Sequence, residues 1–169
     1  LTRMTIIHSD IELGWLWGSF HNEQVRLLPL IDKTKSNESN RTYLRSFFSM
    51  IEGITYRTRQ ILLERQRNNS IILLPEQIIA LSEISIELEN NGNIKTRPKF
   101  YDLKSMMLFT YKIYCELYNK FDIYDKFISD NRYNAFNESI KMRNRITHPK
   151  SGMDVYINGD NIQTVMSAG

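Results

Sequence analysis

The segment Ile140-Lys141-Met142-Arg143-Asn144-Arg145-Ile146-Thr147-His148-Pro149 brings together a fixed cation, a carboxamide and an imidazole at short spacing. A helix predicted over residues 131–147 aligns Tyr133, Phe136 and Ile140 in one apolar stripe, and the next positions on that stripe are Arg143 and Thr147, flanked by Asn137 and Asn144. The core-facing side of the helix therefore turns polar at an arginine. A guanidinium taken out of water is costly unless paired, so Arg143 either meets a carboxylate or lines a solvent-filled cleft. Glu52 is the partner expected from its place beside the apolar stripe of the longest helix. Pro149 disfavours helical geometry at the residue before it, which puts His148 at the helix end. From there the ring can swing toward Arg143, although the two positions are about 140° apart on an ideal helix. Asn144 shares nearly the face of His148, and Arg145 and Lys150 add positive charge around it. An imidazole beside a fixed cation can take and return protons while the charge of a phosphate is held.

Helical spacing of apolar residues runs through almost the whole chain and supplies the elements that must position this segment. A first helix is predicted over 9–29, with Leu13, Leu16, Trp17, Phe20 and Leu27 on one side and Pro29 near its end. The polar stretch 32–40 reads as a loop. The clearest helix covers 41–67, where Leu44, Phe47, Phe48, Ile51, Ile54, Ile61 and Leu62 follow the i, i+3, i+4, i+7 rule. Pro75 suits the first turn of a third helix, predicted to run to Asn90 and to stop at Asn91-Gly92-Asn93. Ile84, Ile86 and Leu88 alternate as a strand would, but their surroundings favour helix. A fourth helix is predicted over 101–121, and the last one stops at Pro149. Beyond it, Val155, Tyr156 and Ile157, then Asn158-Gly159, then Ile162 read as a short hairpin, with a helix from Asp160 as the alternative. The expected fold is an all-α up-and-down bundle of four to five helices over residues 1–150, followed by a C-terminal appendage over 151–169. The chain opens on Leu rather than Met and stops within a candidate element, as a fragment would.

Arg143-Asn144-x-x-x-His148, late in a helical domain of this size, resembles the R-x4-6-H signature of the HEPN superfamily, whose arginine is often followed by Asn, Asp or His. The helix carrying Arg45-Ser46-Phe47-Phe48-Ser49-Met50-Ile51-Glu52 also resembles the second helix of such domains. The similarity covers residues 9–150. Arg3 and His8 have the same spacing, but Met4 follows Arg3 and the pair precedes the first predicted helix. The resemblance implies a metal-independent endoribonuclease, of a kind found in toxin–antitoxin and abortive-infection systems, acting as a dimer in which two motifs meet in one cleft. It implies RNA as substrate, a homodimer, and an antitoxin or other regulatory protein as a further partner, with no cofactor and no metal. It assigns catalysis to Arg143, His148 and Asn144; the reading of the residues themselves adds Glu52, Arg145 and Lys150 in support. A non-catalytic bundle of the same type, serving dimerisation, RNA binding or partner docking, is the alternative. In it Arg143 is a salt-bridge residue and His148 a helix terminator.

Composition sets the outer bounds. The 169 residues are 41% hydrophobic and 24% charged, as in ordinary globular proteins, which excludes collagen-like, mucin-like and wholly disordered chains. The longest apolar run falls far short of the roughly 20 residues that span a bilayer, and the region around Trp15 and Trp17 follows acidic residues, unlike a secretory signal. One cysteine, Cys115, excludes an internal disulfide and reads as a buried structural residue. Three histidines are too few for a histidine-rich metal centre, and His8 and His21 read as structural or surface residues. A net charge of +3 permits a polyanionic partner without demanding one. These features together suggest a soluble, reduced, cytoplasmic protein. Arg57, Arg59, Arg65 and Arg67 read as a solvated face, as do Lys95, Arg97, Lys99 and Lys104. Trp15 and Trp17 cannot both face one core, so one of them suits a subunit contact.

Overall fold

The apolar repeat of the long central segment is realised in a computed structural model, which describes the backbone of residues 2–34 and 36–168 and the side chains of 13–31 and 36–168. The elements run α1 (Thr2–Thr34), α2 (Asn37–Arg67), α3 (Pro75–Leu81), β1 (Ile84–Leu88), β2 (Ile94–Pro98), α4 (Leu103–Leu117), α5 (Phe121–Ser129), α6 (Asn131–Thr147), a 3-10 turn (Gly152–Val155) and α7 (Gly159–Met166). The chain is mostly helical, with one small antiparallel sheet. Helix α2 is the spine, and α1, α3, α4, α6 and α7 all pack on it.

Two apolar clusters sit at the two ends of α2. Near its start, Tyr43, Leu44, Phe47 and Phe48 pack with Ile31 of α1, Phe136 and Ile146 of α6, and Ile157, Ile162 and Val165 beyond them. Near its end, Leu62 and Leu63 pack with Leu73, Leu81 and Ile113. Between the clusters lies a polar stretch of α2, residues 52–59.

Several boundaries differ from those expected. Helix α1 extends past Pro29 to Thr34, and the loop predicted over 32–40 shrinks because Ser36 caps α2 early, accepting from the Ser39 amide at 3.1 Å. The third helix stops at Leu81 instead of Asn90. Glu83 takes a left-handed conformation (φ 51°) that turns the chain out of α3, and residues 84–88 pair with 94–98 in a hairpin, Ile84 opposite Pro98 and Leu88 opposite Ile94. Gly92 (φ 82°) makes that hairpin's turn. The fourth helix divides in two. Asn119 is left-handed (φ 53°) and the Lys120 amide reaches back to the Cys115 carbonyl at 2.8 Å, the Schellman closure that ends α4 before α5 begins.

The C-terminal segment forms a 3-10 turn and then α7 from Gly159, the helix given as the alternative near Asp160 and not the hairpin. Asn158 and Asn161 cap α7 reciprocally, each side-chain oxygen accepting from the other's amide. The preceding residues are strapped across the bundle. The Ile157 amide donates to Asn37, its carbonyl accepts from Asn40 at 2.8 Å, and Arg41 and Arg145 donate to the carbonyls of Val155 and Tyr156. With Ile157, Ile162 and Val165 fully buried, residues 151–168 contribute to the same core as the start of α2. Among the described residues, no helix is long and apolar enough to cross a membrane.

Candidate functional site

Helix α6 begins at Asp130, whose carboxylate accepts from the Arg132 amide, and ends at His148. The apolar stripe read from the sequence is real at its start. Phe136 is buried, and Tyr133 and Ile140 pack against the same cluster. One turn later the helix reaches the polar stretch of α2, and there Arg143 Nη2 donates to Glu52 Oε1 at 2.6 Å. Arg143 Nη1 donates to Asn144 Oδ1 at 3.1 Å, and the Thr147 hydroxyl donates to the Arg143 carbonyl. The partner expected for Arg143 is therefore the one it has. The pair is not sealed, for the Arg143 and Glu52 side chains keep 29% and 44% exposure.

Arg143, Glu52 and Asn144 form one wall of a cleft of about 430 Å3, within the size range of small-ligand sites. Helix α2 continues the wall with Thr55, Tyr56 and Arg59, and Glu83 joins from the turn after α3. Tyr101, Asp102 and Lys104 face them from the start of α4. Asp102 caps α4, accepting from the Ser105 hydroxyl and amide, and the first of these contacts is the main cause that holds its carboxyl below the usual range. Arg59 is buried, with Nη1 on Glu83 Oε2 at 2.8 Å and its guanidinium 5.5 Å from the Tyr56 ring centre.

His148 stands at the C-terminus of α6 (φ −127°, ψ 63°), outside helical geometry, its amide donating to the Asn144 carbonyl at 2.9 Å. Its exposed ring borders a second depression, shared with Asn144, Arg145, Lys150 and Asp154. Asp154 accepts from the amides of Lys150 and Ser151 and from the Ser151 hydroxyl, and these contacts, the Lys150 amide foremost, lower its pKa. Within one chain, then, Arg143 and His148 lie in neighbouring depressions that meet at Asn144, with no bond between the two side chains. Arg145 spends one nitrogen on the Tyr156 carbonyl, and Lys150 engages Asp154 through its backbone. Among the described residues, no three His, Cys, Asp or Glu side chains lie close enough together to hold a metal ion.

The other residues singled out in the sequence divide unevenly. Of the arginines expected on a solvated face, Arg59 and Arg65 are buried, Arg65 stacking 5.5 Å from the Tyr118 ring centre, while Arg57 pairs with Glu64 and Arg67 is exposed. Lys95 and Arg97 pair with Glu89 and Glu87 on the hairpin, and Lys99 and Lys104 sit near the rings of Tyr101 and Tyr133. Cys115 is buried. Trp15 and Trp17 are both exposed, Trp17 stacked on His21 at 4.8 Å. The side chains of Arg3 and His8 lie outside the described residues, and α1 already includes both positions. Sequence reasoning missed Thr55, Tyr56, Arg59 and Glu83. The first three were detectable, because 52, 55, 56 and 59 are spaced i, i+3, i+4, i+7 and so form a polar stripe down α2.

No family model matches the chain, and no curated protein and no solved structure shows significant similarity to it.

Proposed function

We propose that the chain is a metal-independent endoribonuclease of HEPN type, working as a homodimer. The observation that carries this reading is the state of Arg143: held by Glu52 and Asn144 yet still open to a cleft, with His148 released from the helix one turn later. In this reaction the ribose 2′-oxygen attacks the adjacent phosphorus, the bond from phosphorus to the 5′-oxygen breaks, and the products are a 2′,3′-cyclic phosphate and a 5′-hydroxyl. His148 takes the 2′-proton or protonates the departing 5′-oxygen. Arg143 stabilises the charge gathering on the phosphoryl oxygens. Asn144, which borders both depressions, positions the phosphate between them. Two chains would supply the base and the acid separately. The nucleophile is the 2′-hydroxyl, so RNA is cut and DNA is not.

A second reading, a non-catalytic docking or RNA-binding module, draws on the charge match of Arg143 with Glu52 and on the absence of a bond between Arg143 and His148. One assay separates the two. Purified protein is incubated with RNA in EDTA, beside Arg143→Ala and His148→Ala. The enzyme reading expects cleavage ending in 2′,3′-cyclic phosphate, lost in both folded variants. Equal cleavage by wild type and variants, or none, favours the module.

A further inference from the structure

The cleft beside Arg143 is larger and chemically more varied than a phosphate requires. Glu52 and Arg59 are seven residues apart on one face of α2, about 10 Å along the helix. Over that span the character of the wall changes. At one end are Arg143 and Asn144; at the other, Tyr56 and the buried Arg59–Glu83 pair, faced by Tyr101. The charges cancel, since Arg59, Lys104 and Arg143 are matched by Glu52, Glu83 and Asp102. A balanced set of donors and acceptors between aromatic rings suits a flat, neutral, hydrogen-bonding group better than a polyanion. Tyr56 lines the cleft and is 58% exposed, so its ring is accessible to a ligand there.

We infer that this cleft is a nucleobase subsite, in which one unstacked base of an RNA lies against Tyr56 and Tyr101, its polar edge facing the Arg59–Glu83 pair. The assignment of the base to RNA rests on the endoribonuclease reading, which sets the scissile phosphate at Arg143. Single-stranded RNA is bound in this way, by stacking bases on aromatic side chains and pairing their edges with polar groups.

The test is calorimetric titration of the protein with each of the four ribonucleoside 3′-monophosphates and with inorganic phosphate. Wild type is compared with Tyr56→Ala, Tyr101→Ala and Tyr56→Phe, each checked for folding by circular dichroism. At least one nucleotide should bind more tightly than phosphate. The two alanine variants should weaken it about tenfold, and Tyr56→Phe, which keeps the ring, should retain it. A 2′-O-methyl trinucleotide carrying the preferred base cannot be cut by 2′-attack, and it should displace the mononucleotide. Nucleotides that bind no better than phosphate, or equally well to the alanine variants, overturn the subsite. A bound nucleotide that the trinucleotide does not displace overturns its assignment to RNA. Because binding is read without cleavage, an inactive protein that still binds a base defeats the nuclease reading alone. An active one whose base preference ignores both tyrosines defeats the subsite alone.

Discussion

Two arginine–glutamate pairs line the same cleft, and their surroundings differ. Arg59 and Glu83 meet at 2.8 Å with side chains 9% and 23% exposed, whereas Arg143 and Glu52 meet at 2.6 Å with 29% and 44% exposed. The shorter contact is the wetter one. Distance therefore says little about what each pair does, and solvent access says more. Water screens the Arg143 pair, so its net worth to folding is about 0–1 kcal/mol. The Arg59 pair joins α2 to the turn after α3 in a drier setting, where losing one partner strands the other. The first pair is suited to be opened by a ligand, and the second is suited to hold the cleft's shape.

The largest expected effect is on chemistry. On the endoribonuclease reading, Arg143→Ala should lower RNA cleavage by about a hundredfold to a thousandfold, the cost of removing a preorganised donor to a developing oxyanion. Its melting temperature should stay within a few degrees of wild type. Glu52→Gln keeps the shape of the pair and removes its charge, and a smaller loss of about tenfold is expected from a less well-oriented guanidinium. If Arg143→Ala instead lowers stability as far as the loss of Arg59 does, the contrast between the pairs fails.

Arg59→Ala should do the reverse. Stranding Glu83 in a mostly buried position costs about 3 kcal/mol, a fall of about 6–12 °C in a chain of this size. Thermal denaturation of Arg59→Ala beside the Arg59→Ala, Glu83→Gln double variant separates the stranded charge from lost packing. The double variant should recover part of the loss. No recovery would mean that Arg59 stabilises through its contact with Tyr56 rather than through Glu83.

The same contrast explains which parts of the site could be read in the sequence. Arg143 was visible because it interrupts an apolar stripe, and its partner was visible because Glu52 sits beside another stripe. Both facts are properties of regular helices. Arg59 meets a residue 24 positions away, at a left-handed turn that no periodicity announces. The two Asn-Gly pairs make the point for the fold. Asn91-Gly92 reads as a helix stop and Asn158-Gly159 as a hairpin turn with a helix from Asp160 as the alternative; the first turns a hairpin and the second starts that helix. Gly92 uses its freedom at φ 82° to turn the hairpin, while Asn158 stays at φ −87° and caps α7. Asn-Gly permits both conformations, and pairing partners outside the dipeptide decide between them. At 84–98 those partners are the alternating residues of two strands. At 158 the buried Ile162 and Val165 favour a helix whose apolar side faces the core. The 155–157 strap was illegible for a related reason, since its partners Asn37, Asn40 and Arg41 lie on α2, more than a hundred residues away, and only Arg145 is near in sequence.

The smallest expected effect concerns the outer depression, where His148 stands. Asp154 holds the turn after Pro149 through the amides of Lys150 and Ser151, and these bonds depress its folded-state pKa. A carboxyl whose pKa is lower folded than unfolded contributes stability that is fully present above the ordinary carboxylate value, about 3.9, and is lost as pH falls through the folded value. The turn should therefore be insensitive to pH around neutrality and loosen only in strong acid. Hydrogen exchange at the amides of Lys150, Ser151 and Ile157, followed from pH 6 down to pH 3, reads this directly. The first two should lose protection in acid before Ile157, whose amide is held by the uncharged Asn37. Asp154→Asn should show the loosened turn already at pH 6 and remove the acid dependence. Because Asp154 is on the surface, global stability should scarcely change, and the buried Arg59–Glu83 end of the cleft should not register the substitution. An acid response that spreads to α3 and the hairpin would show that the two ends of the site are mechanically joined, and that the division between a holding pair and an opening pair is too sharp.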